Sequence, residues 1–381
     1  MTSEQIFFLQ TLNDHINGRK TQIPENVDMD KVKWYAGEHQ AEPIFYYQTH
    51  NNLFREAYYS QLLIYDHRNA VMEELEQVFS DLPHFIVKGP YIARYYPVKE
   101  LRTMGDTDIV VKPEDKSAAD QKLRDFGFEV TNKTSGEWEY CFQGILVELH
   151  TSLFYKYSDP VMEQKQFEYF GRCWEHYSDG QIDFNFHILF LFMHLRKHIA
   201  ETGVGFRQFL DIAAVIKNAD VDWDLIMSDA RFLGIDQFIR TVTSFTERWF
   251  GVKSPYGSES IDETFYEKAT ITVFEDGVFG FTNEKNHYND TVNKWKKTGH
   301  RLNRVPFFFR HLFWPYEKMI EMPEYNWLRN KKYLLPLAWA ERAVFRMGKW
   351  KELKNRYYTS DSIASERISY LKQWGIEEGD S

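Results

Sequence analysis

The feature that most constrains this fold is a change of hydrophobic period at Pro83. Before Pro83, apolar residues recur at three- and four-residue steps, which is typical of helices. From Pro83 to about residue 155, short apolar runs rich in strand formers alternate with glycine and proline turns. The segment 83–155 therefore predicts a compact α/β unit within a chain that is otherwise mostly helical.

The same patterns predict the elements inside and around this unit. Inside it, strands are expected at 84–87, 106–111, 128–132, 137–142 and 145–149, a short helix at 91–96, and a longer helix at 114–126 that ends at Gly127. Around it, helices are expected within 1–80 (one long helix at 52–80), at 184–199, 206–217 and 236–250, and from Asp222 onwards. The segment 251–290 has only a weak pattern.

The expected fold class is α+β, with a small mixed-sheet core between an N-terminal helical segment and a larger C-terminal helical region. The expected domains are 1–80 (N-terminal helices), 81–180 (α/β core), 181–250 (helical domain) and 251–381 (mostly helical).

Composition excludes several classes of protein. The 46 Lys and Arg against 56 Asp and Glu give a net charge of −10, so nucleic acid is not the expected partner. The two cysteines, Cys141 and Cys173, exclude a disulfide scaffold and favour a reducing, cytoplasmic location. The N-terminus does not resemble a signal peptide, and no apolar run is long enough to span a membrane.

The strongest chemical signal is the pair Asp106 and Asp108 at the start of a predicted strand. Carboxylates at i and i+2 on a strand point to the same face, and they repel each other unless a cation lies between them. Mg²⁺ prefers such oxygen ligands and accepts substrate phosphates as further ligands. The structural alternative is a half-exposed strand with two polar residues, and the D-x-D pattern alone favours it.

Two neighbouring features strengthen the metal interpretation. Lys88-Gly89 lies between a strand and a short helix, where a backbone N–H can approach a phosphate and Lys88 can reach an anionic oxygen. Glu148 lies in the apolar strand 145–149, where a carboxylate needs a cation or a charged partner. The alternatives are a plain turn for the first, and for the second a strand whose other face is solvated.

The order Val87-Lys88-Gly89, Arg102-x-x-Gly105-Asp106-Thr107-Asp108 and a later acidic strand resembles the polymerase-β-type nucleotidyltransferases. Within that superfamily it is similar to a poorly characterised bacterial family. The likeness continues in a helical segment, with 194–198 (HLRKH) and 203–211 (GVGFRQFLD), and in the tail around 313–315 and 334–342. Around 88–108 and 194–211 the resemblance is most specific.

The resemblance implies a metal-dependent transferase. Asp106, Asp108 and Glu148 would be the catalytic and metal-binding residues, with Mg²⁺ or Mn²⁺ as the ion. An NTP, expected to be ATP, would be the substrate, and the acceptor stays open. The residues assigned to nucleotide binding are Lys88, Gly89, Arg102, Gly105 and Arg207.

Two positions depart from the superfamily pattern. Pro90 replaces the usual serine after Gly89 and removes a phosphate contact, and Thr107 replaces an apolar residue.

Several histidines could support the cleft. His187, His194 and His198 share one broad helical face, and His at i and i+4 is a metal-ligand spacing. Core or interface histidines are the preferred interpretation over zinc. A third possibility is that His194, His198, Arg207 and Asp211 face the metal site, with Asp211 holding Arg207 against a phosphate. His150 is a further candidate for cleft support.

Other readings stay open. The basic segment 294–310, with interleaved aromatic residues, could bind tRNA or lie on a membrane surface, although such runs are more often solvated faces. The chain could instead be a non-catalytic nucleotide- or protein-binding module on the same fold. A metallohydrolase built on His194, His198 and Asp211 is the third candidate.

Overall fold

The computed structural model describes residues 1–133, 137–153, 160–257, 260–278, 316–319, 327–328, 331–339 and 366–376. The chain forms two compact units, one of 1–283 with 370–379 and one of 284–369 with 380–381. The sheet and all candidate site residues belong to the first unit. The finer division into domains predicted from the sequence stays a prediction.

Four helices precede the sheet: α1 (Ser3–Ile16), α2 (Met29–Glu38), α3 (Glu42–Thr49) and α4 (Arg55–Val78). The sequence predicted α1 and α4 but not α2 and α3. Thr2 caps α1 in a reciprocal capping box with Gln5, which satisfies two backbone groups at the helix start. The Asp28 carboxylate caps α2 in the same position.

A five-stranded mixed sheet follows, in the order β1-β2-β5-β4-β3. Its elements are β1 (His84–Val87), α5 (Gly89–Ala93), β2 (Asp106–Val111), α6 (Lys116–Phe126), β3 (Glu129–Lys133), β4 (Glu137–Phe142) and β5 (Ile145–His150). The central pair, β2 and β5, is parallel, and the other pairs are antiparallel. All five predicted strands are confirmed within two residues.

The two faces of the sheet differ because side chains alternate along each strand. One face packs on α4 and α6 in an apolar cluster that includes Ile109, Val111, Val147 and Leu149. On the opposite face of β2 and β5, Asp108, Glu148 and His150 take the positions between these apolar residues. One face therefore fixes the sheet, and the other is left for polar groups.

The remaining helices of the first unit extend the core. They are α7 (Pro160–Phe170), α8 (Phe184–Glu201), α9 (Phe206–Asn218), α10 (Trp223–Leu233), α11 (Asp236–Phe250) and α12 (Glu263–Asp276), with a small hairpin of β6 (Tyr177–Ser178) and β7 (Gln181–Ile182) before α8. Helices α9 and α11 pack on α1, and α10 packs on α7, α8 and α11. The mixed sheet and its helical flanks confirm the predicted α+β class.

The high aromatic content is used in this helical core. Rings from α1, α9, α11 and α12 meet around Phe206, which contacts Trp249 and Phe274 edge to face and Phe8 at a tilted angle. Trp374, near the C-terminus, stacks on Phe245 with ring centroids 4.5 Å apart. Such pairs contribute about 0.5–1.5 kcal/mol each beyond the area they bury, so the rings hold distant segments of the chain together.

In the second unit, the description covers a short helix, α13 (Tyr316–Met319), and a small apolar cluster of Met319, Leu328 and Ala338. The basic segment 294–310 and the Phe313-Trp314-Pro315 motif lie outside the described residues. Within the described part of the chain, no helix is both long and apolar enough to cross a bilayer.

Candidate active site

The turn after β1 brings Lys88 to the sheet in an unusual backbone conformation. Lys88 has φ 59° and ψ −119°, a region that residues with a Cβ rarely adopt. Its N–H donates to Nε2 of His187 on α8 at 2.9 Å. This hydrogen bond fixes the turn from outside the sheet, so the strained residue is held by a partner from the helical region.

Gly89 follows at the start of α5 and packs closely on the loop before β2. A Cβ at this position would lie 3.2 Å from Sδ of Met104 and 3.6 Å from the carbonyl oxygen of Asp106. A Cβ at Gly105, by contrast, would meet no atom within 4 Å. The first glycine therefore permits close packing, and the second leaves open space beside the acidic strand.

The parallel pairing of β2 and β5 brings the acidic residues together. Asp108 lies opposite Glu148, and Val110 lies opposite His150. On the other side of β2, Val87 lies opposite Asp108, which places the following Lys88 next to that carboxylate. Sequence alternation predicted this shared face, and the strand register now joins Asp108 and Glu148 across it.

The side chains form a compact charged cluster. Nζ of Lys88 lies 2.7 Å from Oδ1 of Asp108. Nε2 of His150 lies 3.1 Å from the same oxygen and 3.2 Å from Oε2 of Glu148. Among the described residues, ligand atoms of Asp108, Glu148 and His150 all lie within 4.8 Å of one another, a group that could hold a metal ion.

Asp106 lies on the same strand face but outside that group of three. It is half-buried, whereas Asp108 is buried. The Asp106 charge helps to raise the pKa of both Lys88 and Glu148, so it acts on the same site. The acidic pair thus has one inner member and one member nearer the solvent.

Electrostatics in the cluster favour the ionised forms of Asp108 and His150 despite burial, and the neutral form of Glu148. Burial opposes ionisation of Asp108, but the Lys88 ammonium and the His150 hydrogen bond outweigh it and lower the pKa of Asp108 to about 2. Burial likewise opposes charge on His150, yet its hydrogen bonds to Asp108 and Glu148 raise its pKa to about 9. The hydrogen bond from His150 lowers the pKa of Glu148, but burial and the charges of Asp106 and Asp108 outweigh it, so the net shift is upward.

The loop before β2 is held by an arginine that sequence reasoning missed. Arg68 on α4 donates to the carbonyl oxygens of Met104 and Gly105 at 3.1 and 3.3 Å, and to the hydroxyl of Thr107 at 3.2 Å. Thr107, a departure from the superfamily pattern, is fully buried and accepts this bond. The signal in the sequence was a single arginine near the apolar stripe of a long helix.

A second buried network joins the loop to α9. Nε and one terminal nitrogen of Arg102 each bind an oxygen of Asp211 at 2.8 Å, and the Tyr96 hydroxyl donates to Asp211 at 2.6 Å. Arg207 donates to the side chain of Gln40 and to the carbonyl oxygen of Thr103. The sequence had suggested that Asp211 holds Arg207. In the structure Asp211 pairs with Arg102 instead.

Two histidines of α8, His194 and His198, lie near enough to Lys88 for its charge to oppose their protonation. Nε2 of His194 lies 2.9 Å from Nε2 of His198. Burial, and then the positive charge of Lys88, lower the pKa of His194 well below its usual range and that of His198 to about 4. Since Asp211 is engaged by Arg102 and Tyr96, the geometry gives no support to a zinc site of His194, His198 and Asp211.

Comparison with known proteins assigns the chain to a protein family. The model of a family described as uncharacterised nucleotidyltransferase matches residues 25–251, more than half of the sequence. The protein belongs to this uncharacterised nucleotidyltransferase family. The match covers the helices α2 to α4, the sheet, α8, α9 and all candidate site residues. No curated protein and no solved structure gives a significant match.

The donor set of this site fits a divalent cation. Carboxylate oxygens are hard ligands, and Asp106, Asp108 and Glu148 gather like charges on one face, where a cation relieves their repulsion. The short distances between His150, Asp108 and Glu148 bring the donor atoms within reach of one ion. The site is therefore a candidate metal centre.

Proposed function

We propose that this protein is a metal-dependent nucleotidyltransferase that transfers a nucleoside monophosphate from an NTP to a hydroxyl-type acceptor and releases pyrophosphate. ATP is the expected nucleotide and Mg²⁺ or Mn²⁺ the expected ion. A small molecule, a protein side chain or an RNA end could be the acceptor. The observation that carries this proposal is the acidic face of β2 and β5 beside the Lys88-Gly89 turn, in a chain of a nucleotidyltransferase family.

In this proposal Asp106, Asp108 and Glu148 are the catalytic carboxylates and the oxygen ligands of the ion. When bound, the cation supplies charge neutralisation for the triphosphate and aligns it for displacement. The parallel register of β2 and β5 supports this role because it puts Asp108 and Glu148 in direct opposition. Asp106, nearer the solvent, is positioned to meet an incoming metal–nucleotide complex.

The nucleotide would lie along the turn between β1 and α5. The open space beside Gly105 lets phosphate oxygens approach the backbone, and Lys88 carries the positive charge that reaches them. Contact between the nucleotide and Gly89, which packs on Met104, stays a prediction. Arg102 and Arg207 direct their described hydrogen bonds to Asp211, Gln40 and Thr103. Those contacts support a positioning role for the two arginines, and direct contact with the nucleotide stays a prediction.

The chemical step is an in-line displacement at the α-phosphorus. The acceptor oxygen forms a new bond to phosphorus, the α–β bridging P–O bond breaks, and its electron pair leaves on pyrophosphate. Glu148 would accept the proton of the attacking hydroxyl. Its position opposite Asp108 on the same face of the sheet supports this role.

The experiment is a transfer assay with an unbiased acceptor. The full chain is incubated with each α-labelled NTP, a divalent ion and a fractionated cell extract, and the labelled fraction is identified. Asp108→Asn should abolish labelling, whereas Asp125→Asn, which alters an exposed acid on α6, should retain it. Wild-type labelling by Asp108→Asn would refute the assignment.

The same assay separates the alternative of a non-catalytic module. Pro90, which has no N–H to offer a phosphate, favours that alternative. Metal-dependent NTP binding with no labelled product across all fractions would select it. The four-domain division and the cytoplasmic location are also proposals, and limited proteolysis and cell fractionation test them.

A further inference from the structure

We propose that His150 is a nitrogen ligand of the metal ion and that this ligand makes the site select Mn²⁺ over Mg²⁺. The inference rests on the metal centre of the proposed function and goes beyond it. The resemblance to polymerase-β-type enzymes implies three carboxylate ligands, and His150 is an addition that the sequence pattern did not assign as a ligand. The argument depends on where its Nε2 atom lies.

The distances within the cluster match the edges of a coordination polyhedron. In an octahedral site with metal–ligand bonds of roughly 2.1 Å, adjacent ligand atoms lie about 3 Å apart. Nε2 of His150 lies 3.1 Å from Oδ1 of Asp108 and 3.2 Å from Oε2 of Glu148. One ion can therefore contact all three atoms once the Lys88 ammonium has moved away from Oδ1 of Asp108 and Nε2 of His150 has lost its proton.

The strand register explains how the imidazole reaches this position. Glu148 and His150 are two residues apart on β5, so both side chains leave the same face of the sheet. His150 lies opposite Val110, one step further along β2 than Asp108. Its ring nonetheless reaches back to both carboxylates, since Nε2 lies within hydrogen-bond distance of Asp108 and of Glu148.

Ligand chemistry then determines the metal. Mg²⁺ demands oxygen ligands and keeps its waters, whereas first-row transition ions accept imidazole nitrogen more readily. Mn²⁺ combines that acceptance with affinity for carboxylate and phosphate oxygens. The carboxylates of this site together with one imidazole therefore favour Mn²⁺ over Mg²⁺.

Pulsed electron paramagnetic resonance tests the ligand directly. The full chain, labelled uniformly with ¹⁵N, is loaded with Mn²⁺ and a non-hydrolysable ATP analogue of natural isotope content. The expected result is a ¹⁵N coupling from the protein to Mn²⁺ that disappears in His150→Gln and persists in His194→Gln. The absence of ¹⁵N coupling in the wild type would overturn the proposal, because His150 would then act only as a hydrogen-bond donor to the carboxylates.

Metal competition gives a second, independent measurement. Wild-type protein should bind Mn²⁺ at least tenfold more tightly than Mg²⁺, and His150→Asp, which restores an oxygen ligand, should reduce that ratio by about tenfold. An unchanged ratio in a folded His150→Asp protein would overturn the selectivity claim. If ¹⁵N coupling is present but no NTP yields a transferred product, the proposed function fails and the ligand assignment stands.

Discussion

Replacing Lys88 with methionine would show how the site balances charge before a metal ion arrives. The Lys88 ammonium lies 2.7 Å from Oδ1 of Asp108, and the two side chains are only 16% and 3% exposed. In the absence of a metal, this ammonium is a resident cation at the carboxylates. A divalent ion must therefore displace it, and the proposed role of Lys88 at the triphosphate gives it a place to go.

The size of the effect follows from the geometry. At 2.7 Å the gross attraction is about 6 kcal/mol for an effective dielectric constant near 20, and about 1.5 kcal/mol in bulk water. The desolvation cost of the pair offsets much of the larger value. We take the net free energy of displacing the Lys88 ammonium from Asp108 as about 1.4–2.8 kcal/mol. Lys88→Met should therefore bind Mn²⁺ about 10- to 100-fold more tightly without nucleotide.

The assay is a titration of free Mn²⁺ by electron paramagnetic resonance, with and without a non-hydrolysable ATP analogue. The same variant should bind the analogue more weakly, since the phosphate contact is lost. Lys31→Met, which removes an exposed lysine on α2, is the matched control for net charge. Unchanged or weaker Mn²⁺ binding in nucleotide-free Lys88→Met would refute the reasoning.

Three further predictions concern the supports of the site. Asp211→Asn leaves the buried Arg102 without its carboxylate and should lower the free energy of unfolding, measured by urea denaturation, by about 3–5 kcal/mol. Asp220→Asn, which changes an exposed acid, should alter it by less than about 0.5 kcal/mol. Equal effects of the two variants would contradict the network. Arg68→Lys replaces the two donor nitrogens of the planar guanidinium with a single ammonium, so it should lower kcat about tenfold or more with a smaller change in KM. An unchanged kcat would remove the positioning role of Arg68. Burial lowers the pKa of His39 to about 3, so from pH 6.5 downwards the unfolded chain binds a proton that the folded chain excludes. The free energy of unfolding should therefore fall by up to about 1.4 kcal/mol per pH unit from this group as the pH is lowered. In His39→Phe the dependence of that free energy on pH should decrease by this amount, and an unchanged dependence would contradict the burial argument.

Local patterns predicted the elements whose apolar residues repeat regularly. The sheet strands, α4, α8, α9 and α11 were found because alternation or helical spacing runs through each of them. Helix α2 was missed because it buries little more than Val32 and Ala36, which leaves no continuous stripe. Helix α12 was missed because its segment, 251–290, mixes polar and apolar residues without a clear period.

For the candidate site, the sequence predicted which residues would meet on β2 and β5 but not what holds them. The same-face rule applies to Asp106 and Asp108, and the family resemblance pointed to Glu148. The supports come from far along the chain: His187 is 99 residues from Lys88, and Asp211 is 109 residues from Arg102. Such pairings depend on tertiary packing, which no local period encodes.

The most direct measurement of the metal assignment is a crystal structure of the full chain with Mn²⁺ and a non-hydrolysable ATP analogue, with anomalous data at the manganese edge. The prediction is an anomalous peak about 2.2 Å from carboxylate oxygens of Asp106, Asp108 and Glu148, with Nε2 of His150 in the same coordination shell and the analogue's phosphates beside the Lys88-Gly89 turn. A peak elsewhere, or a nucleotide bound without any ion at these carboxylates, would contradict the proposal.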